Sequence, residues 1–231
     1  LLNEIKNNEK IGICQSLLLK PGGEIDSCGD FIDPLGVVYS SKTIPKTEQE
    51  ISSAKGACML IRKVIFDELN GFDEKFFASF EDVDIGWRSW IKGYEVILSP
   101  KSIVYHLGGQ TTDKIKSDVA FHGFKNQLSM KITNFEPHLS LQKMIHFFIV
   151  YGIHELKIWF DYKMKGTTNR TSTKYEFTQA QKPDFKIILK SILWIISNSS
   201  YLHQKQLLVN STRVNSTKIL QERNILTYKY R

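Results

Sequence analysis

Residues 56–100 read "GACMLIRKVIFDELNGFDEKFFASFEDVDIGWRSWIKGYEVILSP", and this stretch decides the fold class. Small residues at Gly56 and Ala57 lead into an apolar strand that passes into a short helix at 63–69. Gly71 is placed to end that helix, since a helix C-terminus favours a residue that tolerates positive φ. The acidic run "EDVD" at 81–84 opens a second helix. "YEVILSPKSIVYH" then offers strands at 94–98 and 102–106 around Pro100. Strands this short and varied, mixed with helices, exclude a sandwich and predict an α/β domain.

Upstream, "KIGICQSLLLKPGGEIDSCGDFIDPLG" gives a strand near 11–19, a Pro-Gly-Gly turn at 21–23 and a strand near 24–32. Residues 40–53 are polar and read as a loop. The chain opens on Leu1 with "LLNEIKNNEKIGICQSLLL", which reads as a helix end, a polar turn and a buried strand. We therefore expect the C-terminal part of a longer protein. With 231 residues, 42% hydrophobic and 12% aromatic, the chain suits one large folded domain with or without an appendage, not a disordered segment. Cys14, Cys28 and Cys58 lack CxxC spacing and read as reduced, buried thiols in a cytoplasmic protein. Sequons at Asn169, Asn198, Asn210 and Asn215 lie in an Asn/Ser/Thr-rich region where chance matches are common.

Charge divides the chain. Residues 1–112 hold 12 Lys+Arg against 16 Asp+Glu, a net of −4; residues 113–231 hold 19 against 8, a net of +11. The expected organisation is an α/β part at 1–112, a basic helical region at 113–198 and a polar tail at 199–231. "LSLQKMIHFFIVYGIHELKIWFDYK" is a long apolar helix whose uncharged run, 144–154, is too short to span a bilayer, which takes about 20 apolar residues. "DFKIILKSILWIISN" sets Phe185, Ile188, Leu189, Ile192, Trp194, Ile195 and Ile196 largely along one stripe, flanked by Lys186 and Lys190. Such a helix either lies in an anionic membrane interface or packs on the domain. No helix-turn-helix or zinc pattern supports nucleic-acid binding.

The carboxylates Glu81, Asp82 and Asp84 admit two readings. Ser79 as N-cap would put Glu81 and Asp82 in the first helical turn, where the dipole favours them. Asp84 and Arg88 would pair at i,i+4 on the exposed face, with Val83, Trp87, Trp90 and Ile91 as the apolar stripe. The other reading is chemistry: a single carboxylate can take a proton from a substrate hydroxyl. Capping and chemistry are compatible.

Six elements in order across 56–109 resemble the C-terminal half of the catalytic domain of glycosyltransferase family 2, which has the GT-A fold. They are Gly56-Ala57, Arg62 before a helix, "GFDEKFF" at 71–77, "EDVD" at 81–84 with Arg88, "KGYEVILSP" at 92–100 and "VYHLGG" at 104–109. The likeness is strongest to rhamnosyl- and galactofuranosyl-transferase-like members and extends over roughly residues 1–160. It implies a metal-dependent, inverting transferase that moves a sugar from a nucleotide-sugar donor to a glycan or lipid-linked acceptor. It further implies Asp82 as base and His106 as ligand to Mn²⁺ or Mg²⁺; at a helix N-terminus the dipole is expected to lower the pKa of Asp82 and keep it ionised. Gly56, Ala57 and Glu81 fall on its substrate side; Trp87 and Trp90 line an acceptor pocket or belong to the core. The basic helices would hold the enzyme peripherally at the inner face of the cell membrane, in cell-surface polysaccharide synthesis.

One departure is large. The family's donor half, with its DxD motif, has no counterpart before residue 56, where the acidic pairs are Glu24/Asp26 and Asp30/Asp33. The chain by itself is then expected to be inactive. The alternative to an enzyme is a non-catalytic membrane-surface or assembly module derived from one.

Overall fold

The computed structural model describes residues 1–108, 116–165 and 185–228. A short helix α1 (Leu2–Asn7) precedes β1 (Ile11–Leu19), the strand around which the main sheet is built. Eight of its nine residues are buried, as its nearly continuous apolar sequence requires of a strand covered on both faces. One edge of β1 pairs in parallel with β7 (Glu95–Tyr105). The opposite edge pairs antiparallel with β6 (Met59–Ile61) and, at its end, with β2 (Ile25–Ser27). β5 (Gln49–Glu50), inside the stretch expected to be loop, adds antiparallel to β7.

Three expected strands differ in the structure. Residues 94–106 form one strand, not two: the register passes from Ser16↔Ser99 to Leu17↔Ile103, so Pro100, Lys101 and Ser102 bulge out together. Proline has no N–H to give the ladder, which is why the irregularity falls there. Residues 24–32 form two strands, not one. Gly29, at φ 91°, turns the chain, and a Cβ there would meet Ile51 Cγ2 at 2.5 Å. β3 (Asp30–Ile32) therefore leaves the main sheet and pairs with β4 (Val38–Ser40).

α2 (Lys63–Glu68) ends in a paired-turn cap in which Asn70 donates to the Asp67 carbonyl (3.0 Å) and Gly71 to that of Phe66 (2.9 Å). Left-handed backbone thus begins at Asn70, one residue before the glycine expected to supply it. α3 (Glu81–Ile91) lies directly on the 51–53 segment. Trp90 Nε1 donates to the Ile51 carbonyl at 2.9 Å, and a Cβ on Gly86 would stand 2.8 Å from Ser53 Cα.

The rest of the described chain is helical: α4 (Lys116–Asn134), α5 (Pro137–Lys165), α6 (Phe185–Ser197), α7 (Ser199–Ser211) and α8 (Thr217–Glu222). α4 packs against α3, α5, α6 and α7. The segment expected as a polar tail is instead part of the domain. Val209, Leu220, Ile225 and Leu226 join the main core, and Leu226 bridges Ile32 of β3. Leu202 is buried as well, while Leu207, Leu208 and Val214 stay exposed. The basic residues of α4 also differ from expectation. Lys125 and Lys131 are buried, and desolvation pushes their amines down to about 8 and about 7.

Gly86→Ala tests the α3 contact. Alanine is the better helix former by about 1 kcal/mol, but here its methyl meets backbone. We expect a net loss of about 1–3 kcal/mol in chemical denaturation; an unchanged midpoint would show that the contact yields.

Candidate active site

The site begins in the middle of β1. Gln15, fully buried, accepts from the Lys55 amide through Oε1 at 2.6 Å and so fixes the turn that leads into β6. The next amide in that turn, Gly56 N–H, donates to Asp82 Oδ2 at 2.8 Å. Asp82 Oδ1 accepts from the Val83 amide, also at 2.8 Å. Two backbone donors, one from each side of the site, therefore orient one carboxylate. Gly56 and Ala57 are exposed beside it.

Asp82 does not behave as a simple capping acid. Burial raises its pKa first, the neighbouring Asp30 carboxylate raises it further, and the Gly56 N–H and the Lys55 ammonium oppose them. The net direction is upward, opposite to the depression expected from the helix dipole. Desolvation outweighs the dipole because Asp82 is tucked against the 55–56 turn. Glu81 is also raised, first by burial and then by Asp82. Its Oε2 is buried with no hydrogen-bond partner among the described residues.

The cap at this helix differs from expectation. Phe80, not Ser79, holds the N-cap position, and no side chain caps the helix. Ser79 and Phe80 both have left-handed backbone, at φ 66° and 69°, a conformation that costs non-glycine residues free energy. Asn126 of α4 holds them there, donating to the carbonyls of Ala78 (3.0 Å) and Ser79 (2.7 Å).

Asp84 and Arg88 pair at 2.8 Å, but in the core and not on the exposed face. Burial alone would raise Asp84. Arg88, then Lys205 of α7 and Asn134 of α4, hold its carboxyl below the ordinary range. Trp87 and Trp90, expected to line an acceptor pocket or to fill the core, are core residues at 1% and 0% exposure. Trp87 packs edge-on against Phe135, and the Trp90 N–H is spent on Ile51.

His106 follows β7, and its amide donates to the Leu19 carbonyl at 2.7 Å. Its Nδ1 pairs with Asp26 Oδ2 at 2.8 Å, the carboxylate–imidazole arrangement that orients metal-ligating histidines. A hard divalent ion needs about six ligands. Among the described residues, no group of three or more His, Cys, Asp or Glu is arranged to hold a metal. His106 fits a divalent cation in kind, but the described residues do not fit one in number.

Sequence reasoning passed over three residues that the fold brings here. Asp30, 1% exposed, pairs with Lys55 Nζ at 2.9 Å and accepts from Ser40 Oγ at 2.5 Å. Asp26 holds His106. The available signal was an acid set inside an apolar strand run, "CGDFI", where a charge needs a partner.

Comparison with known proteins agrees in class. Over 82 residues the chain is 29% identical to the N-acetylglucosaminyl-diphospho-decaprenol L-rhamnosyltransferase of Mycobacterium tuberculosis, covering 36% of this chain and 27% of that protein. Over 54 residues it is 33% identical to the O-antigen biosynthesis protein RfbC of Myxococcus xanthus, covering 23% of this chain and 4% of that one. The chain thus spans about a quarter of the rhamnosyltransferase. Among solved structures it is similar to GalNAc-T7 with UDP, GalNAc and Mn²⁺, at TM-score 0.38 and 15% identity over 56% of this chain and 27% of that one. No protein-family model matches.

The raised pKa of Asp82 has a stability consequence. A folded-state value above the unfolded one means that ionisation opposes folding; this is fully felt above the folded pKa and fades as pH falls toward the unfolded value near 4. Asp82→Asn keeps an acceptor for Gly56 and removes the half-buried charge. It should make the chain more stable than native at pH 7, with the gain shrinking toward pH 4. A loss of stability at pH 7 in thermal melts would contradict this.

Proposed function

We propose that this chain supplies the base and acceptor side of an inverting glycosyltransferase that moves a sugar from a nucleotide-sugar donor to a glycan or lipid-linked acceptor. The observation that carries the reading is Asp82: a carboxylate oriented by two backbone donors, with its pKa raised by burial and by Asp30. A base with a pKa nearer the working pH accepts protons better, provided it remains ionised. In the proposed step the acceptor oxygen attacks the anomeric carbon as its proton passes to Asp82, and the bond to the nucleoside diphosphate breaks with inversion. Glu81, with an unpartnered buried oxygen beside Asp82, is suited to hold an acceptor hydroxyl. The names of the relatives, a rhamnosyltransferase on a decaprenol-linked sugar and an O-antigen biosynthesis protein, support the substrate class. Mn²⁺ or Mg²⁺ enters this reading at His106 alone, so no step is routed through it.

The reading also includes an anionic membrane surface, with the chain peripheral at the inner face of the cell membrane. Among the described residues no helix is long and apolar enough to cross a membrane. What supports the reading is an outward stripe on each of two helices. Leu141, Ile145, Ile149 and Ile153 of α5 are each more than half exposed, as are Phe185, Leu189, Leu193 and Ile196 of α6. The sequence expectation for α6 is altered in one respect: Ile195 turns inward to pack beside Phe147, and Trp194 lies over Lys125. Lys186 and Lys190 flank the outward stripe, and α6 contains no acidic residue.

Two measurements test this. In the full protein, Asp82→Asn should lower kcat by about 10²- to 10⁴-fold with KM for the nucleotide sugar unchanged, read as nucleoside diphosphate released across a panel of donors. Turnover at the native rate would overturn the base assignment. Flotation with phosphatidylglycerol-containing vesicles should recover the protein, and both Leu189→Asp and Lys186→Ala/Lys190→Ala should reduce recovery several-fold. Equal recovery with pure phosphatidylcholine vesicles would remove the anionic surface from the reading.

A further inference from the structure

Asp82 stands among acids. Asp30 lies close enough to raise its pKa, Glu81 adjoins it, and Asp26 is held at His106. A half-buried carboxylate in such company is pushed toward its protonated form, and a protonated carboxyl cannot take a proton from a substrate. Something must keep the anion available. The cations facing this cluster are Lys55, which ion-pairs with Asp30, and Lys42, which donates to the Asp26 carbonyl, with His106 Nδ1 on the Asp26 carboxylate.

Lys55 differs from an ordinary surface lysine in being fixed at both ends. Its amide is held by buried Gln15 at 2.6 Å, and its ammonium by Asp30 at 2.9 Å. Asp30 is itself 1% exposed and braced by Ser40. The neighbouring amide, Gly56 N–H, reaches Asp82. We infer that Lys55 is a positioning residue for the base: seated on Asp30, its ammonium keeps Asp82 an anion, while its backbone sets the turn whose next amide orients that anion. This deepens the reading of Asp82 as the base and rests on it.

The electrostatics agree with the geometry. The Lys55 ammonium lowers the pKa of Asp82 and of Glu81, and its own is raised, first by Asp30 and also by Asp82 and Asp26. A lysine that merely satisfied buried Asp30 would contribute to stability and leave Asp82 alone. That is the distinction to measure.

The experiment is a pH titration of the Asp82 carboxyl carbon by NMR in aspartate-labelled full protein, assigned with Asp82→Asn. A facing opposite charge lowers a carboxyl's pKa. Lys55→Met should therefore move the Asp82 midpoint measurably upward, and Lys55→Arg should restore it. If Lys55→Met does not fold, Lys55→Gln carries the same expectation with its hydrogen bonding kept. The acid limb of kcat/KM should move with the midpoint. A midpoint unchanged on removal of the Lys55 charge would overturn the inference, even if turnover falls. Native turnover in Asp82→Asn with a moved midpoint would instead sink the base and leave the Lys55–Asp82 coupling standing.

Discussion

The structure depends on Asp84. This buried carboxylate accepts from Arg88 on its own helix, from Asn134 of α4 and from Lys205 of α7. Arg88 continues outward to the carbonyls of Leu69 and Gly71, and so holds the end of α2. Lys205 also reaches Asp73, which accepts in turn from Tyr201. Four helices and the loop between α2 and α3 meet on one connected set of charges. Removing one member would strand another buried ion, so the set holds the elements in one arrangement more than it adds net stability.

That anchoring explains how three clustered acids acquire three characters. Asp82 and Asp84 are two residues apart on a helix, which puts them about 200° apart around its axis. With Asp84 turned to Asn134 of α4 and Lys205 of α7, Asp82 faces the 55–56 turn, where the Gly56 amide meets it and the Lys55 ammonium is held close by on Asp30. Glu81 is left half-buried between them. One carboxyl is driven down and two are driven up. Carboxyls pushed apart in this way are what acid–base work requires. The local pattern of the sequence contains the acids but not their orientation, because that is set by Lys205, 121 residues away.

What could be read in advance follows the same division. β1 showed itself through an apolar run that only a doubly covered strand can carry, α2 through the glycine placed to end it, α5 through its long apolar run and α6 through its apolar stripe. The C-terminal segment did not, because its core residues are spaced too widely to form a pattern. Ile225 and Leu226 bury only because β3 and Ser52 lie ready to receive them, with Thr227 N–H closing on the Ile32 carbonyl at 2.8 Å. Ser79 misled because a serine before an acidic helix is a usual cap. Here the chain enters the helix in left-handed backbone, and the Ser79 carbonyl is spoken for by Asn126. Trp87 and Trp90 could be placed on one helix face from spacing alone. Which way the face pointed was decided by Gly86, whose missing side chain lets α3 settle onto Ser53.

α4 joins the two halves of the proposed function. Along one part of its length Asn126 pins the strained entry to Glu81 and Asp82. Along others it receives α5 and α6: Lys131 lies under the Phe147 ring at 4.2 Å, Lys125 under the Trp194 ring at 4.2 Å, and Lys190 over Phe121 at 4.1 Å. Phe77, exposed in the loop that leads to the base, stacks at a tilt on His122 of the same helix. One helix thus carries contacts to both regions: Asn126 holds the entry to α3, while Lys125 and Lys131 lie against the aromatic rings of α6 and α5.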